Sequence, residues 1–217
     1  MRFSCRGLLL DMDGVLILST ASVERAWRIW AARHGLEPEA VIHAAHGRPT
    51  HETIRAIAPQ LDVDAETRHL DELEAADADG VEPVPGAARL LTALPAGSYA
   101  VVTSASRSLA AIRFAQAGLD EPPDVVSADD VAHGKPDPDP YLTAAARLGI
   151  DSRDCVVIED SPAGIAAGLA AGCRVIALRT TYGDDALTGA EVVLSDLDPI
   201  ALSTGADGDL VLDVRTP

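Results

Sequence analysis

Four short, continuous apolar runs predict buried strands in this chain. They are GLLLDM at 7–12, SYAVVTS at 98–104, DCVVIED at 154–160 and CRVIALR at 173–179. Segments with helical periodicity lie between the later runs, at 106–118, 139–149 and 161–172. Apolar strands that alternate with helices are typical of a parallel sheet covered on both faces. The pattern therefore predicts an α/β fold.

The stretch from 17 to 80 differs because it has helical periodicity and no convincing strand. Its helical segments are 23–36, 38–47, 50–61 and 65–80, after which GVEPVPGAARLLTAL restarts the α/β pattern. We therefore expect a four-helix insertion at 17–80 within a core made of residues 1–16 and 81–217. The tail GADGDLVLDV at 205–214 is predicted to be an edge strand of modest importance.

Composition limits the classes of partner and the cellular compartment. The 217 residues carry a formal net charge of −17, which repels polyanions, so we expect neither nucleic acid nor an anionic membrane as partner. Cys5, Cys155 and Cys173 lack C-x-x-C spacing and are read as reduced thiols. The N-terminus reaches charged residues too early for a signal peptide. We expect a cytoplasmic protein that is a monomer or a weak dimer.

Polar side chains follow three of the predicted strands at the point where each strand ends. In parallel α/β sheets, ligands bind outside these carboxyl ends. The polar residues there are Asp11, Asp13, Thr103, Ser104, Glu159 and Asp160. Lys135, the chain's single lysine, lies in the nearby turn HGKPDPDPY, where a compact ammonium rather than a planar guanidinium is indicated.

Clustered carboxylates repel one another, and a divalent cation among them relieves the repulsion. Hard oxygen ligands suit Mg²⁺, which binds one or two carboxylates together with phosphate and water. A phosphate would face the metal on one side and Lys135, Ser104 and backbone N–H groups on the other. Asp11 would then attack phosphorus as a nucleophile, while Asp13 protonates the leaving alcohol and later activates water.

Four segments in order resemble the motifs of the haloacid dehalogenase superfamily of phosphatases. They are DMDGVL, VVTSAS, GKPDPDPY and VVIEDSPAGIAAGLAAG. The helical insertion after the first segment resembles the small C1-type cap of this superfamily. The resemblance implies a doubly wound parallel sheet with the first strand central, and a cap that opens and closes over the site.

The same resemblance implies roles for four acidic residues. Asp11 is the expected nucleophile and a metal ligand, and Asp13 the acid/base with its backbone carbonyl on the metal. Asp160 is the expected further metal ligand, with Glu159 near the metal directly or through water. Spacing alone does not rank Asp160 above Glu159; only the resemblance does.

The resemblance also implies phosphate and substrate contacts. Ser104, Ala105 and Lys135 are expected on the phosphate. The paired tryptophan helix, the HG-R/K turn and the VVTS segment make the chain most similar to bacterial sugar and hexitol-phosphate phosphatases. Arg48, in the loop HGRPTH, is then the candidate for contact with the sugar or its phosphate. Leu18 stands where many relatives have aspartate, which affects the hinge of the cap rather than the chemistry.

The expected function is Mg²⁺-dependent hydrolysis of a small sugar or polyol phosphate through an aspartyl-phosphate. A mutase like β-phosphoglucomutase shares every core residue and differs in whether the phosphoryl group goes to water or back to a sugar. A phosphoglycolate or glycerol-phosphate phosphatase is a further alternative. A non-catalytic domain that binds a phosphorylated metabolite is the last alternative, which the nucleophile at Asp11 disfavours.

Overall fold

The computed structural model describes residues 1–45, 48–205 and 207–215. Its strands are β1 Arg2–Cys5, β2 Gly7–Leu10, β3 Ile17–Leu18, β4 Glu82–Pro83, β5 Tyr99–Val102, β6 Val125–Val126, β7 Cys155–Glu159, β8 Arg174–Leu178, β9 Val192–Leu194, β10 Ile200–Thr204 and β11 Leu210–Val214. Its helices are α1 Thr20–His34, α2 Pro38–Ala45, α3 Thr50–Ile57, α4 Val63–Ala76, α5 Ala87–Ala93, α6 Arg107–Gln116, α7 Asp139–Leu148 and α8 Pro162–Ala170. None of the helices in these described ranges is long and apolar enough to cross a membrane.

The main sheet is parallel, and the strand that carries the first motif is central in it. Its order is β6-β5-β2-β7-β8-β9. Leu8 and Leu10 of β2 pack into the apolar core on one face, and Leu9 packs into the core on the other. All three leucines are fully buried because helices cover both faces of the sheet. The predicted α/β fold with a central first strand is confirmed.

The C-terminal strand is placed differently from the prediction. β11 pairs antiparallel with β1 on one side and with β10 on the other, in a separate three-stranded sheet. Leu210, Leu212 and Val214 are buried in the core. The prediction of an edge strand at 205–214 is therefore wrong, because a strand bonded on both sides with buried leucines is an internal structural element.

Helices α1 to α4 pack around an apolar core of their own, which includes Trp30, Ile54 and Leu70. The chain enters this region through β3 and leaves it through β4. These two short strands pair antiparallel, with Leu18 opposite Glu82. Leu18 also packs against the main core, so an apolar contact holds this connection.

Candidate active site

A cavity of about 90 Å³ lies where the carboxyl ends of the central strands face helices α1 to α4. Seven of the predicted site residues line it: Asp11, Asp13, Arg48, Ser104, Ala105, Lys135 and Asp160. The eighth, Glu159, is fully buried behind them. The structure thus brings together residues that are up to about 150 positions apart in the chain, because parallel strands end at the same edge of the sheet.

Lys135 is held by three acceptors and is almost completely buried. Its Nζ donates to Asp11 Oδ1 at 2.6 Å, to Glu159 Oε1 at 2.8 Å and to the Val102 carbonyl at 3.1 Å. Burial acts to lower the pKa of Lys135, but Asp11 and Glu159 outweigh it and raise that pKa. An ammonium with three donors in fixed directions suits this arrangement.

Both carboxylate oxygens of Glu159 are engaged with protein donors. Oε1 accepts from Lys135 and from the Tyr141 hydroxyl at 2.9 Å. Oε2 accepts from the Asp160 N–H at 2.8 Å and from the N–H and hydroxyl of Ser161, both at 2.9 Å. A Cβ on Gly164 would lie 1.6 Å from Glu159 Oε1, so only glycine fits there. Glu159 therefore orients Lys135 and the turn that follows β7.

Asp11, Glu159 and Asp160 could together hold a metal ion, because each offers an oxygen within 4.8 Å of the others. Burial raises the pKa of Asp11 to about 7, although Lys135 opposes the rise. Burial, with Glu159 and Asp11 nearby, raises the pKa of Asp160 well above its ordinary value. Burial also acts to raise the pKa of Glu159, but Lys135 and the hydrogen bonds hold it below its ordinary value. An all-carboxylate site in which the pKa values of Asp11 and Asp160 are raised fits a hard divalent cation such as Mg²⁺.

Gly14 lets the chain turn closely past Asp160. Its φ is +80°, in the left-handed region that favours glycine, and a Cβ there would lie 1.9 Å from Asp160 Oδ2. The turn after β2 is therefore incompatible with a larger residue, which explains why glycine follows the two aspartates.

Two residues at the site escaped the sequence analysis, Arg113 and Glu74. Arg113 Nη1 donates to Asp13 Oδ2 at 2.6 Å, and its Nη2 donates to Glu74 Oε2. The other Asp13 oxygen, Oδ1, accepts from the Ser19 hydroxyl at 2.5 Å. The sequence held a signal for this pairing. Arg113 lies four residues, about one turn, after Leu109 on the buried face of α6, and a charged residue on a buried face needs a partner.

The loop after β5 contributes the hydroxyl and backbone groups that were predicted for phosphate. The Ala105 N–H donates to the Thr103 hydroxyl at 3.0 Å in this structure, and Ser104 lines the cavity beside it. Arg48 is exposed and also lines the cavity. The other two residues of the predicted HG-R/K turn, His46 and Gly47, lie outside the described residues.

The tryptophan pair contributes to packing and to the cavity wall. Trp30 is fully buried and donates its indole N–H to Glu66 at 2.8 Å. Trp27 meets it edge to face at 5.5 Å between ring centroids and lines the cavity. Packing in the helical core accounts for Trp30, while Trp27 has both roles.

Similarity to known proteins agrees with this geometry. The family model for haloacid dehalogenase-like hydrolases matches residues 5–172. Hexitol phosphatase A of Escherichia coli strain K12 is 41% identical over 213 residues, covering 96% of this chain and 99% of that protein. Glycerol-1-phosphate phosphohydrolase 2 of Saccharomyces cerevisiae is 36% identical over 210 residues, covering 88% and 82% respectively.

Among solved structures, a putative beta-phosphoglucomutase from Bacteroides vulgatus superposes with a TM-score of 0.75 at 29% identity, covering 89% of this chain and 84% of that one. The resemblance to this superfamily, drawn from four motifs, is confirmed. Because the family model spans most of the chain and ends beyond the Asp160 turn, the protein is an enzyme that belongs to the haloacid dehalogenase-like hydrolases.

Proposed function

We propose that the chain is a Mg²⁺-dependent phosphatase of small sugar or polyol phosphates that works through an aspartyl-phosphate. The observation that carries the proposal is the placement of Asp11. Its carboxylate lies at the end of the central strand, borders the cavity, and has Oδ1 fixed by Lys135 at 2.6 Å. That contact leaves Oδ2 as the attacking atom.

The roles of the chain's own residues follow from this placement. Asp11 Oδ2 forms a bond to phosphorus while the bond from phosphorus to the leaving oxygen breaks, and Asp13 gives that oxygen its proton. Asp13 then takes a proton from water, which attacks the same phosphorus and releases Asp11. Lys135 and Ser104 would neutralise and orient the phosphate oxygens, and the N–H of Ala105 would join them by leaving the Thr103 hydroxyl.

The carboxylates that would hold the cation are Asp11 and Asp160, with the Asp13 carbonyl and Glu159 close by. When bound, Mg²⁺ would offset the charge of these groups and of the phosphate oxygens. Asp11 attacks only in its ionised form, and the raised pKa of about 7 without a cation makes neighbouring positive charge important.

We further propose that residues 17–80 form a cap on a core of residues 1–16 and 81–217. Support comes from the separate apolar core of helices α1 to α4 and from the paired strands that join them to the rest. The cap touches the core through polar contacts: Glu52 accepts from the Gly134 N–H at 2.8 Å, and Asp71 accepts from the Ser106 hydroxyl at 2.7 Å. A seated cap would exclude water from the reacting phosphate.

The substrate class is supported by the relatives and by the cavity. The hexitol phosphatase is similar over almost the whole of both chains. Arg48, Thr50 and Tyr182 offer polar groups along the wall, and Trp27 and Val23 offer apolar surface, which suits the carbon chain and hydroxyls of a polyol. We also propose that the protein works in the cytoplasm, where its three free, buried thiols would remain reduced.

Each of two alternative functions is supported by one specific similarity. The yeast relative indicates glycerol phosphate as a smaller substrate. The similarity to a putative beta-phosphoglucomutase indicates transfer of the phosphoryl group back to a sugar. Both use the same core residues.

The test measures phosphate release from hexose, hexitol, pentitol, glycerol and glycolate phosphates, with Mg²⁺ or with EDTA. The proteins compared are the native chain, Asp11→Asn, and Asp120→Asn as a matched substitution at an exposed aspartate. We expect Mg²⁺-dependent release that Asp11→Asn abolishes and Asp120→Asn leaves intact, highest with a hexitol or sugar phosphate. Conversion of β-glucose 1-phosphate to glucose 6-phosphate without phosphate release would favour the mutase. Tight binding of these compounds with no turnover would favour a non-catalytic domain.

A further inference from the structure

Arg113 connects the acid/base residue with the helical insertion. It lies on α6 of the core, its side chain is 5% exposed, and each end of its guanidinium meets a carboxylate. Nη1 donates to Asp13 at 2.6 Å, and Nη2 donates to Glu74, which belongs to α4 of the insertion. The three residues come from the loop after β2, from α6 and from α4, and all line the cavity.

Asp13 is held on both sides by these contacts. Oδ2 accepts from Arg113, and Oδ1 accepts from Ser19, the buried residue just before α1. Two anchors on opposite oxygens fix the rotation of the carboxylate about its χ2 bond, which an unanchored aspartate would leave free. A proton donor must meet its acceptor within hydrogen-bond reach, so this rotation decides whether Asp13 can serve the leaving oxygen.

Glu74 makes this arrangement depend on the insertion. Its side chain is 4% exposed, and burial raises the pKa of its carboxyl to about 7 although Arg113 opposes the rise. When α4 is seated on α6, Glu74 directs one end of the guanidinium and leaves the other end for Asp13. If α4 moved away, Arg113 would lose one carboxylate and gain water, and its hold on Asp13 would change.

A purely structural ion pair between helices is the simpler interpretation of Arg113 and Glu74. Such a pair would satisfy itself in a bidentate contact, which is the strong geometry for arginine with a carboxylate. Here the guanidinium is divided between a residue of the insertion and the residue next to the nucleophile. The division indicates a task beyond joining α4 to α6.

We propose that Arg113 is a positioning residue for Asp13, and that Glu74 makes this positioning depend on the seated helical insertion. The inference rests on the proposed phosphatase function, in which Asp13 protonates the leaving oxygen. Arg113 itself transfers no proton and makes no covalent bond.

Changing the leaving group distinguishes a positioning role of Arg113 from a purely structural one, because a structural role would not affect alkyl and aryl substrates differently. An alkyl oxygen needs a proton as it departs, whereas p-nitrophenolate departs without one. The ratio kcat/KM covers only the steps up to loss of the leaving group, so it isolates the step that needs the proton. Loss of Asp13 positioning should therefore reduce kcat/KM for an alkyl phosphate much more than for p-nitrophenyl phosphate.

The experiment compares Arg113→Gln, Arg113→Lys and Glu74→Gln with the native enzyme, on the best alkyl phosphate of the substrate panel and on p-nitrophenyl phosphate. Arg25→Gln is the matched control, because Arg25 pairs at 2.7 Å with Asp77, the residue just after α4, and its hydrogen bonds in the described part of the chain go to Asp77 and Asp79 rather than to Asp13. We expect Arg113→Gln to lower kcat/KM for the alkyl phosphate by about 10²-fold, the size of a misplaced proton donor, and for the aryl phosphate by about 10-fold or less.

Arg113→Lys should recover part of the alkyl activity, and Glu74→Gln should lower the alkyl-to-aryl ratio by a smaller factor than Arg113→Gln. Equal losses on both substrates in folded variants would overturn the proposal and leave a structural ion pair. If Arg113→Gln does not fold, Arg113→Lys and Glu74→Gln decide, and an unchanged ratio in both would overturn it. Absence of Mg²⁺-dependent turnover by the native protein would instead refute the proposed function itself.

Discussion

Replacing Lys135 with methionine tests whether this ammonium holds the site together. Methionine has similar length and no charge, so Asp11 and Glu159 would lose the cation that lies 2.6 and 2.8 Å from them. Removing one partner of a buried ion pair costs about 3–5 kcal/mol of unfolding free energy, or about 6–20 °C in Tm for a chain of this size. The cost should be measured in EDTA, so that no metal replaces the lost charge.

The cost should depend on pH in a definite direction. Lys135 holds the pKa of Glu159 below its ordinary value of 4.5, so its stabilising effect is present above that value and is lost as pH falls. The pKa of Asp11 is already about 7, and without Lys135 both carboxyls would stay protonated to higher pH. The difference between native protein and variant is therefore smaller near pH 5 and largest above about pH 7, where Asp11 also ionises in the native protein.

Urea unfolding of native protein, Lys135→Met and Lys135→Arg at about pH 5 and about pH 8 measures this difference. Lys135→Arg keeps the charge but overfills a site that is 2% exposed, so it should cost about 1–3 kcal/mol of unfolding free energy. This variant should retain the pH dependence of stability and still lose activity. An equal loss of stability for Lys135→Met at both pH values, or no loss, would refute the electrostatic account of this site.

Two further predictions concern the groups around Lys135. Gly164→Ala should displace Glu159 and lower kcat in the phosphate-release assay by at least about 10-fold, because small misplacements of catalytic groups are costly. Gly183→Ala is the control, because a Cβ at Gly183 would meet open space, and it should leave kcat near the native value. Mg²⁺ should raise Tm more at about pH 8 than at about pH 5.5, because protons on Asp11 and Asp160, whose pKa values are raised, compete with the cation at the lower pH; equal rises in Tm at both pH values would contradict this.

Elements with strong local patterns could be predicted from the sequence. The continuous apolar runs that became β2, β5, β7 and β8 are buried on both faces, and that burial makes them visible. β6 and β9 have two and three residues, too short for any periodicity to appear. β11 was misplaced because its partners, β1 and β10, could not be recognised from local pattern, and a strand looks the same at an edge as between neighbours.

Some residues of the site could likewise be predicted from the sequence, and others could not. Asp11, Lys135 and Asp160 follow or precede predicted elements of a parallel sheet, and topology alone brings them to one edge. The pairing of Arg113 with Asp13 and Glu74 joins residues 100 and 39 positions apart through the seating of α4 on α6, which depends on packing of whole helices. Only the charge on the buried face of α6 hinted at that pairing.

The most direct test of the central claim looks for the phosphoryl group on Asp11. The native enzyme is mixed with Mg²⁺ and its best substrate, quenched in acid during turnover and reduced with borohydride, which converts an aspartyl-phosphate to homoserine. Peptide mass spectrometry then locates the modified residue, with Asp11→Asn as control. The account predicts homoserine at Asp11 in the native enzyme. Turnover without modification at Asp11, or modification at another residue, would contradict it.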